Sequence, residues 1–148
     1  MKLEIELVPK TAWDKNLRLS IPRKEWDKIR KESYAKANHK CAICGADGQL
    51  NCHEIWEYDD ENHIQKLTGF IALCKSCHMI KHIGLAETWA YEGRIDMEKL
   101  IRHFMKVNNV DFKEFENHRR ESFELWKKRS EENWATDFDQ WSDLVNDS

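Results

Sequence analysis

The chain has no long apolar run among its 148 residues, so nothing in it reads as a membrane-spanning helix. Its first ten residues, MKLEIELVPK, alternate apolar with charged positions and lack the apolar centre of a secretory signal. No internal repeat or low-complexity tract interrupts it. Residues 131–148 contain six acidic residues and no lysine or arginine. These absences argue against a membrane or secreted protein. They lead us to expect a cytoplasmic protein of one domain, a compact core with an extended helical arm.

What is present is unevenly placed. Five cysteines are an odd number, and four of them form two C-x2-C pairs, Cys41/Cys44 and Cys74/Cys77. In a reducing compartment such pairs point to metal rather than to disulfides. Zinc takes four tetrahedral ligands, and two knuckles supply four thiolates from distant parts of the chain. The fifth cysteine, Cys52, stands beside His53. Residues 10–40 carry ten Lys/Arg against four Asp/Glu. Such a segment suits a phosphate backbone, because neutralising phosphates releases counterions; a solvated helix face is the plainer reading.

The local pattern gives an order of elements. LEIELV (3–8) alternates with period two and reads as a short strand. Ser20-Ile21-Pro22 opens a helix, RKEWDKIRKESYAKA, that ends near Asn38. QLNCHEIWEY (49–58) is β-prone and stops at the turn signal DDEN; GFIAL leads a second strand into Cys74. A helix then starts within KSCHMIKH and runs toward Gly84. Beyond it, Asp96 begins a helix with Leu100, Ile101, Phe104 and Val107 on one face. Asp111 caps the next, with Glu114 completing a capping box. The aromatic stripe Phe112, Phe115, Phe123 and Trp126 reads as core or as a helix interface. The acidic end, with Trp134, Phe138 and Trp141, reads as a solubilising helix or a frayed tail; the other option is a cover for the basic surface that competes with nucleic acid.

His78 and His82 are four residues apart on the expected helix and so project from one face, the spacing at which two imidazoles can share a divalent ion. His53 lies on the hairpin between the two knuckles. C-x2-C, a histidine on a β-hairpin, then C-x2-C-H entering a helix resembles the HNH nucleases of the ββα-metal fold. The resemblance covers roughly residues 24–84, and within it the basic helix ahead of the first knuckle, WDKIRKESYAKANHKCAICG, is similar to the usual lead-in to that domain. The fold it implies is α+β: a small zinc-stapled ββα-metal core with a preceding helix and a C-terminal helical arm. The expected divisions are an N-terminal strand and lead-in at 1–23, the HNH-like core at 24–84, and a helical extension with an acidic tail at 85–148.

The resemblance also implies roles. Cys41, Cys44, Cys74 and Cys77 would hold a structural zinc. His53 would be the general base that activates water. His78, and His82 as in colicin-type members, would hold a second divalent ion (Mg²⁺, Mn²⁺, Ni²⁺ or Zn²⁺) that stabilises the scissile phosphate. Two positions depart from the family pattern. Cys52 stands where an oxygen or imidazole ligand is usual, and a thiolate there would favour a softer ion such as zinc. Gly69 stands where an asparagine normally orients the base. Glu54, Glu57 or Asp59 are substitutes for the missing ligand, although strand alternation points Glu54 away from His53. Arg23, Lys24, Lys28, Lys31 and Lys81 are the expected nucleic-acid contacts.

The resulting function is a metal-dependent HNH-type endonuclease hydrolysing phosphodiester bonds in DNA. The alternative is a catalytically degenerate, zinc-stapled module that binds nucleic acid, or a protein partner through the C-terminal helices.

Overall fold

The computed structural model describes residues 1–145. After an N-terminal segment without regular structure come a 3-10 turn and the short helix α1 (Leu17–Ser20), followed by α2 (Arg23–Lys36). The hairpin β1 (Leu50–Asp59) and β2 (Ile64–Cys74) leads directly into α3 (Lys75–Lys81) and α4 (Ile83–Tyr91). Helices α5 (Met97–Asn108) and α6 (Phe112–Arg129) precede β3 (Ala135–Asp137) and a last 3-10 segment, Asp139–Leu144. The architecture is α+β, with a three-stranded sheet in the order β1-β2-β3. Among the described residues no helix is long and apolar enough to cross a membrane.

Local chemistry sets most of these boundaries. Pro22 precedes α2, with φ −59° and no N–H to leave unpaired, and its carbonyl accepts from Glu25 and Trp26. The helix stops where Asn38 and His39 take positive φ of 54° and 59°. Asp96 and Asp111 cap α5 and α6 by accepting from the backbone N–H of Glu98 and Glu114. Asp59 closes the hairpin by accepting from the N–H groups of Glu61 and Asn62.

The hairpin separates two apolar clusters. Cys52 and Glu54 stand opposite Ala72 and Phe70; Asn51 and His53 stand opposite Leu73 and Ile71. The Cys52 face carries one cluster around Leu17, Ile21, Trp26 and Leu67. The His53 face carries the larger cluster, where Leu73, Ile80 and Ile83 meet Leu3, Leu100, Phe104 and Phe115. The larger core thus draws on all three segments expected from the sequence. Between Ile55 and Trp56 the register shifts, leaving Thr68 as the extra residue on β2, next to Gly69.

Three expectations need correction. Residues 3–8 belong to no strand. Leu3 and Ile5 are buried, and the backbone is satisfied by side chains: Leu3 N–H donates to Asn108 Oδ1 at 2.9 Å, and Ile5 N–H to His118 Nε2 at 2.9 Å. Their alternation reflects burial against helices. The helix after Cys74 does not run through to Gly84. His82, at φ −108° and ψ 49°, ends α3 and precedes α4. Residues 131–145 form neither an acidic helix nor a frayed tail, because β3 pairs in parallel with β2 at Ile64–Lys66. Trp134 is buried against Tyr58 and His63, and Trp141 packs edge-on to Phe70 at 5.0 Å. The rest of the acidic end, 146–148, lies outside the described residues.

Candidate metal centres

The knuckle CAICG folds back on itself, with Gly45 N–H donating to the Cys41 carbonyl at 2.9 Å and Gly45 at φ +79°. Ala42 N–H donates to the carbonyl of Ala72, fastening this turn to β2. Cys74 ends β2 and caps α3, so the second pair straddles the strand–helix junction. The four sulfurs of Cys41, Cys44, Cys74 and Cys77 lie within 4.8 Å of one another. Cys44 Sγ and Cys74 Sγ are 3.6 Å apart. Thiolates at ~2.3 Å around a tetrahedral ion stand ~3.8 Å from each other, so the cluster has the dimensions of a zinc site.

The electrostatics agree with a cation at the centre. Although burial opposes it, backbone N–H donors bring the Cys41 thiol down to about 7. Burial and the neighbouring cysteine charges push the Cys74 and Cys77 thiols up. Four thiolates in one place therefore need a compensating ion. His103 of α5 adds a contact that spacing did not indicate, with Nε2 3.2 Å from Cys77 Sγ. The four cysteines can hold a metal, and the donor set suits zinc.

His53 does not stand apart from the two later histidines. The ring centroids of His78 and His82 are 4.8 Å apart, and His53 lies 5.1 Å from His82 and 5.6 Å from His78. One ring nitrogen from each lies within 4.8 Å of the others. Although α3 ends at Lys81, His82 N–H still donates to the His78 carbonyl at 3.2 Å, which preserves their shared face. Burial, with repulsion from His53, lowers His78 to about 4 and His82 to about 3. Both are thus neutral near pH 7, the state in which imidazole binds metals.

Cys52 belongs to neither metal-competent group among the described residues. It lies on the opposite face of β1, against the Trp26 cluster, and burial pushes its thiol up to about 11. Glu54 shares that face and accepts from the Leu17 N–H at 2.5 Å, with burial raising it to about 7. It caps α1 and is turned away from the histidines, as alternation indicated. Asp59 is committed to the hairpin turn, and Glu57 is exposed. At Gly69 an added Cβ would meet nothing within 4 Å, so steric crowding does not require glycine there.

Sequence reasoning gave no role to Glu6. Its Oε2 is 2.9 Å from His53 Nε2, and its Oε1 accepts from Lys81 Nζ at 2.6 Å. Although burial opposes ionisation, those two contacts hold Glu6 down at about 2. Lys81 is 6% exposed and spent on this pair, so it is not a surface cation for phosphate. Arg23, Lys24, Lys28 and Lys31 line a separate, shallow face of α2, where Arg23 pairs with Asp27 and Lys28 with Glu25.

A cleft of about 1040 Å³ opens over the histidines, and both Lys15 and Arg18 line it. These two cations lie within the basic segment 10–40 but were not singled out by the sequence. The cleft wall includes Trp13 stacked on Trp126 at 6.4 Å, with Leu19 and Leu85 exposed at its rim. No protein-family model matches the chain, and neither a curated protein nor a solved structure matches it.

Proposed function

We propose that the chain is a metal-dependent endonuclease of the HNH type, hydrolysing phosphodiester bonds in DNA. The observation that carries this reading is the meeting of His53 with His78 and His82 at the floor of a cleft. They sit on the same hairpin–helix unit that the four-cysteine cluster fastens. Burial keeps His78 and His82 unprotonated, and imidazole nitrogens are a fitting donor set for a divalent ion. Such an ion supplies Lewis-acid stabilisation of a phosphate and acidifies water. In this arrangement His53 is a third ligand, in place of the separate base that the family resemblance implies. Lys15 and Arg18 offer charge to the phosphates flanking the scissile bond, while the apolar wall limits water.

The second reading, a zinc-stapled binding module without catalysis, draws on the departures at Cys52 and Gly69. One experiment separates the two. Protein freed of weakly held metal but keeping its zinc is incubated with supercoiled plasmid. Mg²⁺, Mn²⁺, Ni²⁺ and Zn²⁺ are added back one at a time. Metal-dependent nicking that disappears in His78→Ala supports the nuclease. Equal inactivity of both proteins on duplex, branched and single-stranded DNA favours the binding module.

A further inference from the structure

We infer that Glu6, carried by the N-terminal segment outside the hairpin–helix unit, is the positioning residue for His53, fixing its ring and tautomer for ion binding. The inference rests on the reading of His53, His78 and His82 as one metal site.

The geometry begins with what a carboxylate can do. Glu6 Oε2 lies 2.9 Å from His53 Nε2, and a carboxylate only accepts hydrogen bonds. Nε2 therefore carries a proton, which leaves Nδ1 as the ring nitrogen whose lone pair a metal could take in the neutral tautomer. A ligating histidine characteristically gives its other N–H to a carboxylate or carbonyl, which sets the ring orientation and raises its basicity. Glu6 lies 47 positions from His53 in the chain, and its carboxylate contacts the ring.

The rest of the structure holds Glu6 in place. Its second oxygen accepts from the buried Lys81 at 2.6 Å, and its own N–H donates to the Lys81 carbonyl at 3.1 Å. One residue back, Ile5 N–H is held by His118 of α6; further back, Leu3 exchanges two 2.9 Å bonds with Asn108 of α5. Val8 accepts from the indole N–H of Trp126 at 3.0 Å. The C-terminal helices thus hold the segment across α3, and the segment delivers one carboxylate to the histidines.

The test uses full-length protein with zinc in the cysteine site, titrated with Co²⁺ and followed by visible absorption, with histidine tautomers read by long-range ¹⁵N–¹H correlation. Glu6→Gln keeps a hydrogen-bond acceptor but not the charge; Glu6→Ala keeps neither. Loss of such a partner typically costs ~10- to 100-fold in metal affinity. We expect Glu6→Gln near the lower end, Glu6→Ala near the upper, and His53 in Glu6→Ala no longer held as the Nε2–H tautomer. Because either change strands Lys81, the double variant Glu6→Gln/Lys81→Met serves as the fold control and should bind as weakly as Glu6→Gln. Unchanged Co²⁺ affinity and an unchanged His53 tautomer in Glu6→Ala would overturn the inference while leaving the metal site standing. A wild-type protein that takes up no Co²⁺ beyond the cysteine site would overturn both.

Discussion

Sγ of Cys44 stands 3.6 Å from Sγ of Cys74, joining a knuckle before the hairpin to one after it. The contact closes the open end of the hairpin, and it makes the fold depend on whatever holds the sulfurs together. Structural zinc sites are worth ~10–16 kcal/mol in small peptides, comparable to the ~5–15 kcal/mol of a whole domain. Stripping zinc with a strong chelator should therefore unfold the hairpin–helix unit, visible as a loss of near-UV circular dichroism. Cys44→Ser and Cys77→Ser should behave as the stripped protein does. Metal analysis of the purified protein showing no tightly held zinc would remove the basis for this.

The three histidines should act as one site. His53→Ala, His78→Ala and His82→Ala are each expected to lose the second ion while retaining zinc at the cysteines, and plasmid nicking should vanish with it. Calorimetric titration with Mn²⁺ or Ni²⁺ measures this directly. If His53→Ala binds the ion as tightly as wild type yet fails to cleave, His53 is a base rather than a ligand.

Cys52 should be irrelevant to the ion. It faces the Trp26 cluster, away from His53. Cys52→Ala is expected to leave ion affinity unchanged. Cys52→Asp buries a carboxylate there, on the face away from the histidines. It should lower stability by about 2 kcal/mol or more, read from urea unfolding, without moving metal preference toward Mg²⁺.

The acidic end should be needed for stability. Trp134 is buried, and β3 completes the sheet beside β2. Trp134→Ala should cost about 3 kcal/mol, in the range for large-to-small core changes. Truncation after residue 130 should cost more, so that tighter DNA binding by the truncated chain would not by itself demonstrate competition. Asp139→Asn with Asp143→Asn removes charge from exposed positions and tests competition with the fold intact. Unchanged DNA affinity at low and moderate salt would exclude it.

Cleft cations should matter more than those on α2. Arg18→Ala should weaken DNA binding and lower the salt slope by about 1, the signature of one lost phosphate contact. Lys24→Ala and Lys28→Ala should change the slope less, because they lie on a separate face. The opposite ranking would move the nucleic-acid path to α2.

Features under short-range control could be read from the order of residues. Both C-x2-C knuckles, the hairpin between them and the caps at Asp96 and Asp111 were legible because each depends on residues a few positions apart. The alternation along β1 likewise put Glu54 on the face away from His53. The environment of each side chain came from packing between distant segments. Glu6 reaches His53 across 47 positions, and His103 reaches Cys77 across 26. No local spacing encodes such pairs, because they arise when separate elements bury apolar faces against each other. The same holds for LEIELV, whose alternation serves a strand or a segment laid over helices equally well. It holds also for the acidic end, where Trp134 and Trp141 find apolar partners on the sheet and their burial outweighs the preference of the neighbouring acids for water.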